Sequence, residues 1–170
     1  MKIACLLISL ALPHALHAQP ADPSKTSPLI QARETFIGLS VLDLDASTQW
    51  YSDKLGLEVT RQFARTDETR SRAALLQGGG VTVELVQHDD AVPLRTILPR
   101  PGGALYVHGI FKVGMTIDNF DETVAALRTR GVDIAFGPFP AREDQPANIM
   151  IRDNAGNYIQ LFASRGRETP

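Results

Sequence analysis

The segment FIGLSV at residues 36–41 returns as KVGMTI at residues 112–117, with a glycine in the third place of both. The two segments start at positions 36 and 112, and this spacing is the interval of the repeat. The same interval aligns the tripeptide VEL at 83–85 with IQL at 159–161. Self-similarity at one spacing is typical of a duplicated unit. We therefore predict two copies of one structural unit, aligned in a single register without a shift.

The first copy begins with a strand, because residues 36–41 alternate between apolar and small or polar side chains. Asp43 and Gly56 are suited to the N-cap and the left-handed C-cap of a helix over 44–55. The strands expected after this helix are at 57–63, 73–77 and 81–87.

The second copy repeats this order. A strand over 112–117 precedes a helix that starts after Asp118 or Asn119 and ends at Arg130. Its later strands are expected at 132–136, 148–151 and 158–162. The predicted fold class is α+β, with two tandem β-α-β-β-β modules that form mixed, mostly antiparallel sheets.

Residues 1–18 indicate an export signal. Lys2 gives a positive start, the apolar run over 3–12 is too short to span a bilayer, and Pro13 follows it. The alternative is an apolar first helix of the folded protein. Residues 19–32 are rich in Pro, Ala and Ser and indicate a flexible leader. We expect a periplasmic or secreted protein whose remaining residues, about 150, form one domain.

Charge and cysteine content exclude several classes of function. The chain has 17 basic and 19 acidic residues, a balance too neutral to favour nucleic acid or an anionic membrane surface. The only cysteine, Cys5, lies in the expected signal, which excludes disulfides and thiolate sites after cleavage. We expect no nucleic-acid partner and no membrane association once the signal is removed.

The segment 88–110 joins the two copies and is too apolar for a simple solvated linker. It is either a lid over a site or a tether that packs across a sheet edge. The charged segment 65–72 predicts a solvated hairpin loop. His88 and His108, the histidines outside the signal, are expected on the surface.

Three motifs carry a family resemblance, namely GLSVLDLDAS at 38–47, WYSDKLGL at 50–57 and DNAGNYIQL at 153–161. In this order, and with the internal repeat, the chain resembles the vicinal oxygen chelate superfamily. That superfamily includes glyoxalase I, extradiol dioxygenases, fosfomycin-modifying transferases and bleomycin-resistance proteins. The resemblance implies one glyoxalase-like domain over 33–166 with cupped sheets. Its parts are module one at 35–87, the connecting loop at 88–110 and module two at 111–163.

The resemblance also implies a divalent metal, held in the cup by His and carboxylate side chains from the first and last strands of each module. This sequence places Phe36, Glu84, Lys112 and Gln160 at those positions. Phenylalanine has no lone pair to offer a metal, and protonated lysine has only donors. Glutamine is a poor ligand, which leaves Glu84 as the one competent side chain. We therefore expect no metal and no other cofactor.

These four residues predict a polar anchor in place of the metal. We expect Lys112 to form an ion pair with Glu84, because an unpaired buried carboxylate would be costly. Gln160 is expected to be hydrogen-bonded nearby, and Phe36 to form an apolar wall. The favoured function is metal-free binding of a small, partly apolar molecule by all four residues.

Other functions stay open at this point. One is a lyase, isomerase or dioxygenase-type enzyme, with Glu84 and Lys112 as its candidate catalytic residues. An enzyme of this kind with a relocated metal site would draw its ligands from His88, Asp89, Asp90 and His108. The chain is otherwise a protein-interaction module, or the Glu84–Lys112 pair is purely structural. A homodimer is also left open.

Overall fold

The computed structural model describes residues 34–100 and 106–165. The expected signal at 1–18 and leader at 19–32 lie outside these described residues. Within them, the strands are β1 (Ile37–Ser40), β2 (Glu58–Phe63), β3 (Ser71–Gly78), β4 (Val81–His88), β5 (Lys112–Ile117), β6 (Asp133–Phe139), β7 (Asn148–Arg152) and β8 (Tyr158–Ala163). The helices are α1 (Leu44–Trp50), which continues as a π-helical turn over Tyr51–Leu55, then α2 (Leu94–Ile97) and α3 (Phe120–Thr129).

The predicted β-α-β-β-β order is confirmed in both modules, and the fold is α+β. Most element bounds lie close to the predicted ones, but β6 continues beyond its predicted end at Phe136 and ends at Phe139. The short helix α2 lies in the connecting loop and was not predicted, because it is too short to show a helical period.

Each module forms a four-stranded sheet, in the order β1-β4-β3-β2 and β5-β8-β7-β6. The first strand of each module runs parallel to the last strand, and the other pairs are antiparallel. The sheets are therefore mixed and mostly antiparallel, as predicted. β1 and β5 each lie at an edge of their sheet.

One face of each sheet contributes to a single hydrophobic core. Side chains alternate along a strand, so Val83 and Leu85 of β4 point into this core, as do Ile159 and Leu161 of β8. The buried apolar residues of α1 and α3 belong to the same core. Burial of each large apolar side chain stabilises the fold by roughly 1.5–3 kcal/mol. The opposite face of each sheet, which carries Glu84 or Gln160, is called the open face below.

The two helices begin differently. Asp43 caps α1 as predicted, because its Oδ1 accepts a hydrogen bond of 3.0 Å from the Ala46 N–H. Asn119 occupies the equivalent place before α3, but its side chain makes no capping hydrogen bond. Both helices end at a glycine with left-handed backbone, Gly56 with φ 73° and Gly131 with φ 65°.

The register of the repeat shifts by a single position after the helices. Gly56 follows Tyr51 by five positions, whereas Gly131 follows the equivalent Leu127 by only four. The Leu57 N–H bonds the Tyr51 carbonyl, and the Val132 N–H bonds the Leu127 carbonyl in the same way. The π-helical turn therefore absorbs the extra residue in module one.

The shift is reversed at the turn before the last strand. Leu76 of β3 pairs with Val83, and Ile151 of β7 pairs with Ile159. Equivalent residues of β3 and β7 are therefore one position closer together in the sequence than equivalent residues of β4 and β8. The prediction of one unshifted register is wrong, because a helix end and a turn can each take up a residue without moving the core.

A buried hydrogen bond joins the two modules. The Tyr51 hydroxyl donates to Asp153 Oδ2 at 2.9 Å, and these residues are 1% and 5% exposed. The Asp153 carboxylate also accepts hydrogen bonds from the Ala155 N–H and from the backbone and side chain of Asn157. Burial, and then the negative charge of Asp153, raise the pKa of the Tyr51 hydroxyl. This contact fixes α1 of module one against the last turn of module two.

A reciprocal contact joins the C-terminal ends of α1 and α3. Arg130 Nη1 donates to the Lys54 carbonyl at 2.8 Å, and Lys54 Nζ donates to the Arg130 carbonyl. Each cation therefore meets a carbonyl at the negative end of the other helix, where the helix dipole favours positive charge. These two hydrogen bonds link the C-terminal ends of the two helices across the modules.

Candidate functional site

The predicted site residues occupy equivalent places in the two sheets. Glu84 lies on the open face of β4, opposite Gly38 of β1 in register. Gln160 lies on the open face of β8, opposite Gly114 of β5. Lys112 is the first residue of β5, and Phe36 immediately precedes β1. The repeat therefore places Glu84 and Gln160 at matching positions, as the sequence indicated.

Lys112, Gln160 and Asn148 form a chain of hydrogen bonds across the open face of module two. Lys112 Nζ donates to Gln160 Oε1 at 2.5 Å, and Gln160 Nε2 donates to Asn148 Oδ1 at 3.0 Å. Gln160 is only 9% exposed, so both ends of its amide need partners. The predicted hydrogen bond beside Gln160 is confirmed. Asn148 was not predicted, because its role depends on the register between β7 and β8.

The predicted Glu84–Lys112 ion pair is wrong for the single chain. Within the described residues, Glu84 has neither an ion pair nor a side-chain hydrogen bond. Its Oε2 lies above Gly38, 3.6 Å from where a Cβ at that position would be. The carboxylate is partly exposed, and water can satisfy it. Lys112 instead pairs within its own sheet, where the amide of Gln160 is more deeply buried.

Phe36 does not form the expected apolar wall. It is 65% exposed and lies outside the residues that line the cavity beside Lys112. The apolar walls of this cavity come from other parts of the chain.

A cavity of about 300 Å³ lies where the end of β1, the start of β5 and the connecting loop meet. Lys112 lines it. Its other walls include Ser40, Leu42, Val92, Leu94, Ile110 and Asn157. We call it the Lys112 cavity. Sequence reasoning missed these residues because they lie on loops and strand ends, whose meeting depends on how the modules pack.

The connecting loop contributes both of its ends to the Lys112 cavity. Residues 91–94 line one side, and Ile110 and Phe111 line another. The loop is anchored near Asp89, whose carboxylate accepts hydrogen bonds from Arg65 of the β2–β3 loop. Arg65 holds the pKa of Asp89 below its ordinary value.

The surface predictions near this loop are confirmed. His88 and His108 are exposed. The charged loop after β2 is exposed and forms ion pairs at its ends, Arg65 with Asp89 and Arg70 with Asp90. These pairs occupy the acidic groups that a relocated metal site would need.

A family model described as the Glyoxalase/Bleomycin resistance protein/Dioxygenase superfamily matches residues 35–161. The chain belongs to this superfamily. The match covers both modules, which agrees with the predicted resemblance. No curated protein matches the sequence.

Solved structures of this superfamily share the fold. A glyoxalase family protein from Bacillus cereus is 18% identical with a TM-score of 0.61, covering 83% of this chain and 100% of that one. A glyoxylase/bleomycin resistance protein/dioxygenase domain from Frankia sp. EAN1pec is 18% identical with a TM-score of 0.60, covering 82% and 96%. A fosfomycin resistance protein from Listeria monocytogenes is 15% identical with a TM-score of 0.59, covering 82% and 98%. At such identities the likeness shows the fold alone.

The residues present do not fit the divalent metal that the superfamily implies. Gln160 Oε1 is the one neutral oxygen at the expected positions, and it already accepts from the cationic Lys112. An ion there would face the ammonium group at close range. Among the described residues, no group of three or more His, Cys, Asp or Glu side chains is placed to hold an ion. The side chains at these positions therefore do not form a set of ligands that fits a metal ion.

Proposed function

We propose that this superfamily member binds a small, partly apolar molecule at the Lys112 cavity without a metal. The observation that supports the proposal is the hydrogen bond from Lys112 Nζ to Gln160 Oε1, because it joins two of the positions at which the superfamily resemblance implies metal ligands. Gln160 is itself oriented by Asn148. The ammonium group is therefore held in a defined place beside a concave, largely apolar surface.

The donor count of Lys112 supports a ligand with an oxygen acceptor. A lysine ammonium group has three donors, and Gln160 takes one of them. The remaining donors can receive a carboxylate, carbonyl or hydroxyl oxygen. Charge-assisted hydrogen bonds of this kind are the strong ones. The ligand class we propose is an aromatic or branched aliphatic carboxylate or ketone small enough for a cavity of about 300 Å³.

Binding of benzoate as first probe tests the proposal, with acetophenone and benzyl alcohol as neutral analogues. Met150 does not line the Lys112 cavity, but it pairs with Gln160, the hydrogen-bond partner of Lys112, so its methyl group senses a change at Lys112 through Gln160. We expect benzoate to shift the NMR signal of the Met150 methyl group in ¹³C-methyl-methionine-labelled protein. Lys112→Met should weaken this binding by roughly 10-fold or more, because a hydrogen bond from a charged group is lost.

Glu84→Gln is the matched control, since it changes the equivalent position of module one. It should leave benzoate affinity unchanged. If none of the three probes binds saturably, or if Lys112→Met binds benzoate as well as the parent chain, the proposed site is wrong. Indifference to every change on the open face would favour a protein-interaction module.

The absence of a metal cofactor is proposed on the same donor set and has its own test. The purified protein would be incubated with Zn, Ni, Mn and Fe(II) and measured by elemental mass spectrometry. We expect no stoichiometric metal. About one ion per chain would contradict the proposal.

We propose that the chain is exported to the periplasm or secreted, on the pattern of residues 1–18, and cell fractionation with N-terminal sequencing tests this. In the ranges that the structure describes, no helix is long and apolar enough to cross a membrane. Light scattering of the purified protein measures whether the chain forms a homodimer. Neither nucleic acid nor a membrane is proposed as a partner.

A further inference from the structure

A second cavity, of about 250 Å³, lies between the two modules on the core side of both sheets. Its inner walls come from buried residues of both modules, including Val83 of β4 and Ile151, Ile159 and Leu161 of module two. The edge strands β1 and β5 contribute Ile37 and Met115. We call it the inter-module cavity. The edge strands β1 and β5 belong to separate sheets and are not paired with each other.

The lining of this cavity selects for neutral, apolar guests. Among the described residues that line it, none is charged. Tyr51 reaches it, but the Tyr51 hydroxyl already donates to Asp153. An ionised group would therefore be desolvated there without a partner, at a cost of several kcal/mol or more. Apolar cavities of this order hold small aromatic molecules when water finds no polar partners in them.

The inter-module cavity reaches solvent at one end. Gly78 at the end of β3 and Gly79 of the β3–β4 turn line this end, together with Asn119, which precedes α3, and Thr123 in its first turn. Gly79 and Asn119 are exposed, and an added Cβ at Gly79 would meet no atom within 4 Å. Because Gly79 and Asn119 are exposed, this end of the cavity lies at the surface. Asn119 makes no capping hydrogen bond with its side chain, which leaves that amide available to a hydroxyl or carbonyl group.

We propose that the inter-module cavity is a second binding site, which takes one compact, neutral, mostly apolar molecule of the size of toluene or indole. It is separate from the site of the proposed function. Met115 lines the inter-module cavity from the core side of β5, whereas Met150 lies beside Gln160 on the open face. Leu39 and Val113 border both cavities, so these two residues are unsuitable for telling the sites apart.

The two methionines give one experiment with two independent readouts. In ¹³C-methyl-methionine-labelled protein, we expect toluene and indole to shift the Met115 signal saturably and to leave the Met150 signal in place. Benzoate, the probe of the Lys112 cavity, should not shift Met115 by entering the inter-module cavity, because its charge would be buried there. Failure of benzoate to move Met150 would count against the proposed function only. Failure of toluene and indole to move Met115 would overturn the second site only.

A filling variant and a matched control locate the guest. Ile117 lines the inter-module cavity, and its neighbour Thr116 is exposed on the open face of the same strand. We expect Ile117→Phe to weaken toluene binding at least 10-fold and Thr116→Phe to leave it unchanged. Equal binding of toluene by both variants would overturn the assignment. If Ile117→Phe does not fold, as judged by thermal unfolding, Thr123→Leu at the mouth replaces it, with exposed Glu122→Leu as its control.

Discussion

Module one places Glu84 on its open face with the carboxylate above Gly38, whereas module two places Gln160 at the equivalent position between Lys112 and Asn148. The carboxylate is partly exposed, and the amide is only 9% exposed. The neighbouring residues on the core side are apolar in both modules. The two copies therefore agree where they build the core and differ where they face a ligand.

This difference follows from the cost of burying polar groups. A buried amide needs partners for its oxygen and its nitrogen, and Lys112 and Asn148 supply them. A partly exposed carboxylate is satisfied by water and needs no fixed partner. The open face can thus hold an ordered polar group in one module and a solvated one in the other without changing the fold.

The largest effect is expected at the turn before the last strand. Asp153→Ala removes an acceptor that serves Tyr51, Ala155 and Asn157. The donors left behind are buried or partly buried, so the free energy of unfolding should fall by roughly 3 kcal/mol or more. Urea denaturation followed by circular dichroism measures it.

Gln77→Ala is the control for this change, because Gln77 lies at the same end of β3, one position before Gly78, which is the equivalent of Asp153 by the shorter interval that relates β3 to β7. Gln77 is exposed and bonds only the Thr82 hydroxyl, so the expected loss is within about 0.5 kcal/mol. Equal losses of unfolding free energy in the two variants would show that the hydrogen bonds accepted by Asp153 do not stabilise the protein.

A smaller effect is expected at Tyr51, whose equivalent in module two is Leu127. Tyr51→Phe keeps the ring in the core but removes the hydrogen bond to the Asp153 carboxylate. The free energy of unfolding should fall by about 2 kcal/mol at neutral pH. Exposed Tyr106→Phe is the control and should be close to neutral.

The pH dependence of stability gives the same residue a second test. The pKa of Tyr51 is raised in the folded protein, so its contribution is fully present below the unfolded pKa of about 10 and is lost as the pH rises above it. The parent chain should therefore lose stability in alkali more steeply than Tyr51→Phe does. Parallel curves for both chains between about pH 9 and 11 would contradict the raised pKa.

The smallest effect concerns the start of the helices. Asp43→Ala removes the bond to the Ala46 N–H and should cost about 1 kcal/mol. Asn119→Ala, at the equivalent position, loses no capping bond and should cost only a few tenths of a kcal/mol. Thermal unfolding of the two variants side by side compares them. A larger loss of stability for Asn119→Ala than for Asp43→Ala would contradict the conclusion that only Asp43 caps its helix through the side chain.

Much of the fold could be predicted, because its determinants are local. Alternation along 112–117, the cap at Asp43 and the left-handed glycine at Gly56 each depend on neighbours in sequence. The positions of Glu84 and Gln160 followed from the repeat. These features do not depend on how the modules pack, and all of them are present in the structure.

The contacts of the candidate site could be predicted only in part, because they depend on distances between elements. The Lys112–Gln160 bond joins two strands of one sheet, whereas the expected Glu84–Lys112 pair needed the two sheets to converge on their open faces. Sequence spacing says nothing about that convergence. The Lys112 cavity was missed for the same reason, since the connecting loop has no periodic pattern that places residues 91–94 against β5.

The shift of register within the modules determines where they can be recombined. A crossover that exchanges β3 for β7 at the interval of positions 36 and 112 would put Met150 in place of Ala74 and turn the core side of the strand outward. Cutting at Gly56 and Gly131 keeps Ile149 in the place of Ala74, because the interval between these two glycines is a single position shorter. A join at these left-handed glycines therefore keeps the core side of the exchanged strand in place.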